Sequence, residues 1–305
     1  MFEISRSSIV LFGLQVRWYG VLIALGVLGA VIIAQAREKR LHLPKDTTLN
    51  LALICVPVGV VCARLYYVLF NWSYFAAHPA EIINLRSGGL AVYGAVIGGA
   101  AAAYLYTRIK KLSFGAIADL VAPGLAFGQA LGRWGNFLNQ EAYGALVENP
   151  ALHFFPLATY IEGSGWHYAA FFYESIWCAL ICASLLAGER KNFFIKRGDL
   201  FFAYAFLYAL ERSIVEGLRT DSLFIGPFRV SQLLSFAVLM AVVILMARRL
   251  QGRRLSWRCF RLAALTVLFG ITIWTGRTLL SILWALLLIA GVYIEYKSIT
   301  TNDKM

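Results

Sequence analysis

The chain is short of charge. Only 14% of its 305 residues are Asp, Glu, Lys or Arg, against roughly 25% in an ordinary soluble domain, while 60% are hydrophobic. A water-soluble fold is excluded on that balance. Metal-binding signatures are lacking too. The cysteines at 55, 62, 178, 182 and 259 form no CxxC or Cys/His spacing, so they are expected to act as small apolar residues, with no disulfide framework and no metal. There is no low-complexity stretch and no visible repeat, which removes support for an inverted-repeat transporter. The first apolar run is not followed by an A-x-A cleavage site, so it is expected to remain as an anchor.

What the chain does have is long apolar runs. They lie near 18–36, 49–70, 87–107, 114–132, 167–187, 199–218 and 229–247, with two more near 262–275 and 279–296. Runs of about 18 residues or more match a hydrocarbon core roughly 30 Å thick. They do not alternate in polarity as barrel strands would, and the backbone must be satisfied inside lipid, so they are helices. The expected fold class is all-α, a polytopic transmembrane bundle of seven spans plus one or two C-terminal ones. Residues 1–254 form the main membrane domain and 255–305 an apolar extension.

The net charge of +12 sits between the runs, which suits membrane headgroups and not nucleic acid. Segments 37–48, 107–113, 188–198 and 248–261 together hold 17 Lys and Arg, and the opposite connections hold few. The rule that cytoplasmic loops are basic then puts the N-terminus outside.

Ionisable residues inside spans are costly and by default mark function. Arg64, Asp119, Glu174, Glu211, Arg212 and Glu216 are of this kind. Tyr208, Arg212 and Glu216 are spaced by four and share a helix face, with Arg219 following. A structural Arg–Glu pair is the competing account. A second group is GRWGNFLNQEAYG, Gly132 to Gly144, which joins Arg133, Asn136, Asn139 and Glu141 to three glycines, Gly132, Gly135 and Gly144. Arg presents a planar fork suited to phosphate oxygens, amides add neutral hydrogen bonds, and glycine admits close backbone approach. A polar loop that breaks the helix is the alternative. The third group is SGGLAVYGAVIGG, Ser87 to Gly99, whose Gly94 and Gly98 form a G-x-x-x-G packing pattern with Tyr93 beside it. Tyr19 opens the first span next to Trp18. Most of these residues fall toward the outer face, and two arginines there can meet one anionic headgroup.

At these residues the sequence resembles the prolipoprotein diacylglyceryl transferase family. GRWGNFLNQEAYG is similar to its signature G-R-x-G-N-F-x-N-x-E-x-x-G at all eight fixed positions. RWYG at 17–20, GGLAVYG at 88–94, FYE at 172–174 and YALERSIVEGLR at 208–219 resemble further blocks in the same order, covering roughly residues 8–250. The resemblance implies transfer of a diacylglyceryl group from phosphatidylglycerol to the lipobox cysteine of a prolipoprotein signal peptide in the bacterial inner membrane, with release of glycerol phosphate. It implies roles for Tyr19, Arg133, Asn136, Glu141, Gly144, Tyr208, Arg212, Glu216 and Arg219, and no metal or organic cofactor. On this expectation Arg133 and Arg212 hold the phosphate, and Glu141 and Glu216 fix the arginines or accept a proton. Many members carry His where this chain has Tyr93, which leaves the general base unassigned. A transporter or channel for an anionic lipid or solute is the rival reading. It predicts polar residues along a whole pore, and the charges concentrate near one face instead.

Overall fold

The computed structural model describes residues 2–4, 8–11, 14–85, 88–194, 196–220, 222–249, 255–276 and 278–302. The long helices are α1 (Trp18–Glu38), α2 (Thr47–Phe70), α4 (Val92–Lys110), α5 (Phe114–Asn139), α6 (Ala170–Arg190), α7 (Asp199–Glu216), α8 (Val230–Arg249), α9 (Leu255–Trp274) and α10 (Thr278–Asn302), with a short α3 (Trp72–Ala77) after α2. Each expected apolar run is a helix. Five stretches, α1, α2, α5, α6 and Thr278–Lys297 of α10, are long and apolar enough to cross a membrane. Outward-facing Leu53, Leu69, Phe70, Ile97, Leu180 and Leu286 are all more than half exposed, as a lipid-facing surface requires.

Two features depart from the expectation. The connections carry short antiparallel β-pairs: β1 (Phe2–Ile4), β2 (Ser8–Leu11) and β3 (Leu14–Arg17) in one ribbon, β4 (Ala158–Ile161) with β5 (Gly165–Tyr168), and β6 (Phe224–Ile225) with β7 (Phe228–Arg229). These segments are too short to signal by alternation. In addition, α5 does not end near 132 but continues to Asn139, so most of GRWGNFLNQEAYG is helix and not a loop. Ser87 and the expected boundary at 254 lie outside the described residues.

The chain forms two compact units, Val31–Val121 and the combination of Met1–Ala30 with Ala122–Met305. In the first, α2 and α4 pack intimately through glycine. A Cβ on Gly94 would meet the Cys62 carbonyl oxygen and the Ala63 Cα, and one on Gly98 would meet the Cys62 side chain. Ala34, Leu51, Tyr106, Ile117 and Leu120 form the buried cluster beside this seam. Arg64, an intramembrane cation, proves structural. Its guanidinium donates to the carbonyl oxygens of Glu81 (2.6 Å), Ile82 (2.9 Å), Gly88 (2.6 Å) and Gly89 (3.0 Å), and lies 5.1 Å from the Phe75 ring centroid. It ties the connection before α4 onto α2.

In the second unit, α7, α8, α9 and α10 enclose a core of Phe206, Leu210, Leu239, Val243, Leu262, Phe269 and Leu288. The C-terminal pair therefore packs on α7 and α8 within one core, and Arg261 of α9 pairs with buried Glu295 of α10. On the other side of this unit α1 meets α5 at glycines: a Cβ on Gly124 would sit 3.0 Å from Ala30.

Gly94→Ala should cost about 1–3 kcal/mol through overpacking against backbone, read as a lowered melting temperature in detergent. Arg64→Leu should cost at least ~3 kcal/mol, because four carbonyls lose a charged donor. A melting temperature equal to wild type would refute the clamp.

Candidate active site

The site is built in the second unit, from three helices that run side by side. Helix α5 contributes Arg133 and Asn136, α6 contributes Glu174, and α7 contributes Tyr208, Glu211, Arg212 and Glu216. The α5–α6 pairing is fixed by aromatic packing. Trp134 meets Phe171 edge-on at 5.7 Å, Phe137 stacks on Phe171 at 4.8 Å, and the Trp134 indole N–H donates to Ser175 Oγ at 3.1 Å. The α6–α7 pairing includes Trp177, which donates to the Leu207 carbonyl at 3.2 Å.

Glu174 is the centre of the cluster. It is wholly buried, and three guanidiniums converge on it. Arg133 pairs with its Oε2, Arg212 Nη1 lies 3.4 Å from the same oxygen, and Arg219 Nη1 lies 3.6 Å from Oε1. The arginine side chains keep 18%, 17% and 12% of their surface exposed, against 1% for the carboxylate. Each arginine side chain thus keeps part of its surface accessible while the carboxylate is sealed. Arg212 is further fixed by Glu216, one turn on, at 2.6 Å, as the spacing of four predicts. Arg229 donates to the Glu216 carbonyl oxygen, adding a fourth cation at the end of α7.

Glu211 is also buried, and neither carboxylate oxygen has a hydrogen-bond partner among the described residues. The four guanidiniums around Glu174, Glu211 and Glu216 exceed the carboxylates by one charge even with all three ionised. The cluster is built to receive an anion.

The expectation that Glu141 fixes the arginines needs correction. Asn136 Nδ2 and Asn139 Nδ2 both donate to Glu141 Oε1, at 2.9 and 3.3 Å. The carboxylate is held by neutral amides, and Glu174 holds the arginines. In the sequence Glu174 is marked only by its cost inside a span and by the FYE block at 172–174, because its partners are distant along the chain.

The glycines also differ from expectation. Gly135 lies inside α5, where its amide belongs to the helix, and a Cβ there would strike the Tyr19 ring. It exists so that Tyr19 can lie flat against α5, in the turn between Arg133 and Asn136. Gly144 is buried against backbone: its amide donates to Tyr168 O at 3.0 Å, and a Cβ would meet Tyr168 Cβ at 2.8 Å and Leu218 O at 3.3 Å. It forms a bridge with Arg219, so its effect is to position Arg219, with His167 Nδ1 hydrogen-bonded to the Gly144 carbonyl at 2.9 Å. Tyr208 stacks on Tyr204 at 5.9 Å, one turn before Arg212. Tyr93 is 41% exposed on α4, which belongs to the other unit.

Known proteins are similar to the chain in sequence. Residues 7–248 match the family model described as prolipoprotein diacylglyceryl transferase. Proteins named phosphatidylglycerol–prolipoprotein diacylglyceryl transferase are similar to the chain. Those of Bacillus cereus, Bacillus anthracis and Bacillus cytotoxicus are 42%, 41% and 40% identical over 258 residues, covering 82% of this chain and 94% of each relative. On that match over most of its length, the chain belongs to the prolipoprotein diacylglyceryl transferase family.

Proposed function

We propose that the protein is a multi-pass enzyme of the bacterial cytoplasmic (inner) membrane that moves the diacylglyceryl group of phosphatidylglycerol to the lipobox cysteine of a prolipoprotein signal peptide. One observation carries this reading: three arginines converge on one buried carboxylate and each keeps part of its surface accessible, an arrangement suited to a phosphodiester.

In the reaction, the acceptor sulfur attacks the diacylglyceryl carbon next to the phosphate. A C–S bond forms, the C–O bond to phosphate breaks, and glycerol phosphate leaves with the electron pair. Arg133, Arg212 and Arg219 hold the phosphate and neutralise the charge that grows on it. Glu174 holds the three guanidiniums, and Glu216 orients Arg212. A free thiol has a pKa near ~8.5, and the neighbouring cations favour its thiolate. The thiol proton passes to Glu141, whose amide-held carboxylate has no arginine partner among the described residues. Asn136 and Asn139 fix that carboxylate, Tyr19 borders it, and Tyr208 presents its phenol one turn from Arg212.

Residues 1–254 carry this chemistry, and 255–305 add α9 and α10, which supply none of the cluster. The proposed topology has seven spans in the family-like part and one or two after it. The N-terminus and the arginine cluster then lie on the outer side, where a signal peptide delivers its cysteine. The interruption of α7 by site charges accounts for its falling outside the five most apolar stretches.

Purified protein, phosphatidylglycerol and a lipobox peptide should yield diacylglyceryl peptide and glycerol phosphate, followed by mass and by phosphate-ester release. Arg133→Ala and Arg212→Ala should each lose about 10²–10³ in kcat, the scale of removing a charge-stabilising donor. Full activity in both would end the two-arginine reading. Glu141→Gln should lose about 10²-fold or more in kcat with lipid binding intact, as for a lost general base. Equal losses in binding and turnover would instead make Glu141 a headgroup ligand. For topology, Glu148→Cys should react with an impermeant thiol reagent in intact cells and Lys39→Cys only after permeabilisation. The opposite pattern inverts the proposed orientation.

A further inference from the structure

Away from the arginine cluster, a second cavity opens where the α6–α7 connection meets α10. Its volume is about 520 Å³, within the range of roughly 300–1,000 Å³ of ligand pockets. Leu185 of α6, Phe202 and Phe206 of α7, Val242 of α8, and Ile289 and Val292 of α10 form the walls. The interior offers almost no free polar group: Ser184 Oγ already donates to the Ile181 carbonyl at 2.8 Å. A hydrated solute would lose its water there without replacement.

The mouth is different in character. Lys191 and Lys196 stand exposed on the α6–α7 connection, one of the basic segments that flank the spans. Phe193 stacks on Tyr293 of α10 at 5.5 Å and lies 4.8 Å from the Tyr296 ring. The Tyr296 hydroxyl donates to Asp199 Oδ2 at 2.6 Å, and the Lys196 amide donates to the same oxygen at 2.8 Å. Asp199 is therefore engaged in holding the rim together. Aromatic rings beside ammonium groups, above an apolar hollow, is the arrangement found where a protein meets lipid headgroups.

The geometry points to a binding site for an anionic phospholipid, with an acyl chain in the cavity and its phosphate against Lys191 and Lys196. None of Arg133, Glu174, Arg212 or Arg219 lines it, so it is separate from the transfer chemistry. Its α10 wall lies beyond residue 248, where the family match ends. The C-terminal extension thus completes a lipid site that the family core alone leaves open on one side.

Native mass spectrometry of the full chain in mild detergent tests this with dioleoyl phosphatidylserine, an anionic lipid without the glycerol headgroup, against dioleoyl phosphatidylcholine. One phosphatidylserine should be retained at least fivefold more strongly than phosphatidylcholine. Lys191→Gln with Lys196→Gln, both at exposed positions, should remove that preference, and Val292→Trp should remove binding by filling the cavity. Arg212→Ala should leave binding unchanged while lowering kcat for transfer about 10²–10³-fold. Equal retention of the two lipids, or wild-type phosphatidylserine binding in the double lysine variant, would overturn the site. So would loss of the lipid in Arg212→Ala alone, which would locate it at the arginine cluster.

Discussion

Glu174 sits near the start of α6 with its carboxylate sealed from solvent, and arginines from α5, α7 and the turn after α7 converge on it. Three guanidiniums brought together without a counter-charge would repel one another, most strongly where little water screens them. A carboxylate alone at that depth would be costly as well. Each half of the cluster makes the other tolerable, and the compromise leaves the cations facing outward with charge to spare.

The positions of these side chains are set by helix against helix and not by loop conformation. Arg133 and Asn136 project from a helix that runs on to Asn139, and Tyr19 is laid against that helix at Gly135 because no Cβ intervenes. Gly144 permits both Tyr168 and the Leu218–Arg219 segment to pair closely with the backbone at Gly144 and Ala145. Rigid elements hold a constellation more tightly than a flexible connection does. Here glycine serves that rigidity through contact, where the sequence suggested close approach to a ligand.

Much of this was legible in the sequence, for identifiable reasons. The spacing of Tyr208, Arg212 and Glu216 is a helix-face signal, and the structure confirms the Arg212–Glu216 pair it implies. The length of the apolar runs located the long helices, and G-x-x-x-G marked the close-packed face that α4 turns to α2. The centre of the cluster was not legible. Glu174 meets Arg133 and Arg212 only through tertiary packing, 41 and 38 residues away in sequence, and no local pattern encodes such a meeting. Arg64 shows the reverse case: an intramembrane charge that suggested function is consumed by backbone carbonyls. The cost of a buried charge says that it has partners, and only the fold says whether those partners are protein or substrate.

Helix α7 joins the two halves of the second unit. Tyr208, Arg212 and Glu216 occupy one face, while Phe206 and Leu210 belong to the other and enter the core shared with α8, α9 and α10. Leu210 is fully buried there, as are Leu239 and Leu288. A rotation of α7 that moved Arg212 away from Glu174 would have to pull Leu210 out of that core, losing on the order of 1.5–3 kcal/mol for such a side chain. The apolar packing on one side of α7 therefore fixes the angular position of the guanidinium on the other. By this route the C-terminal helices, which contribute no charged group to the site, still help to hold its geometry.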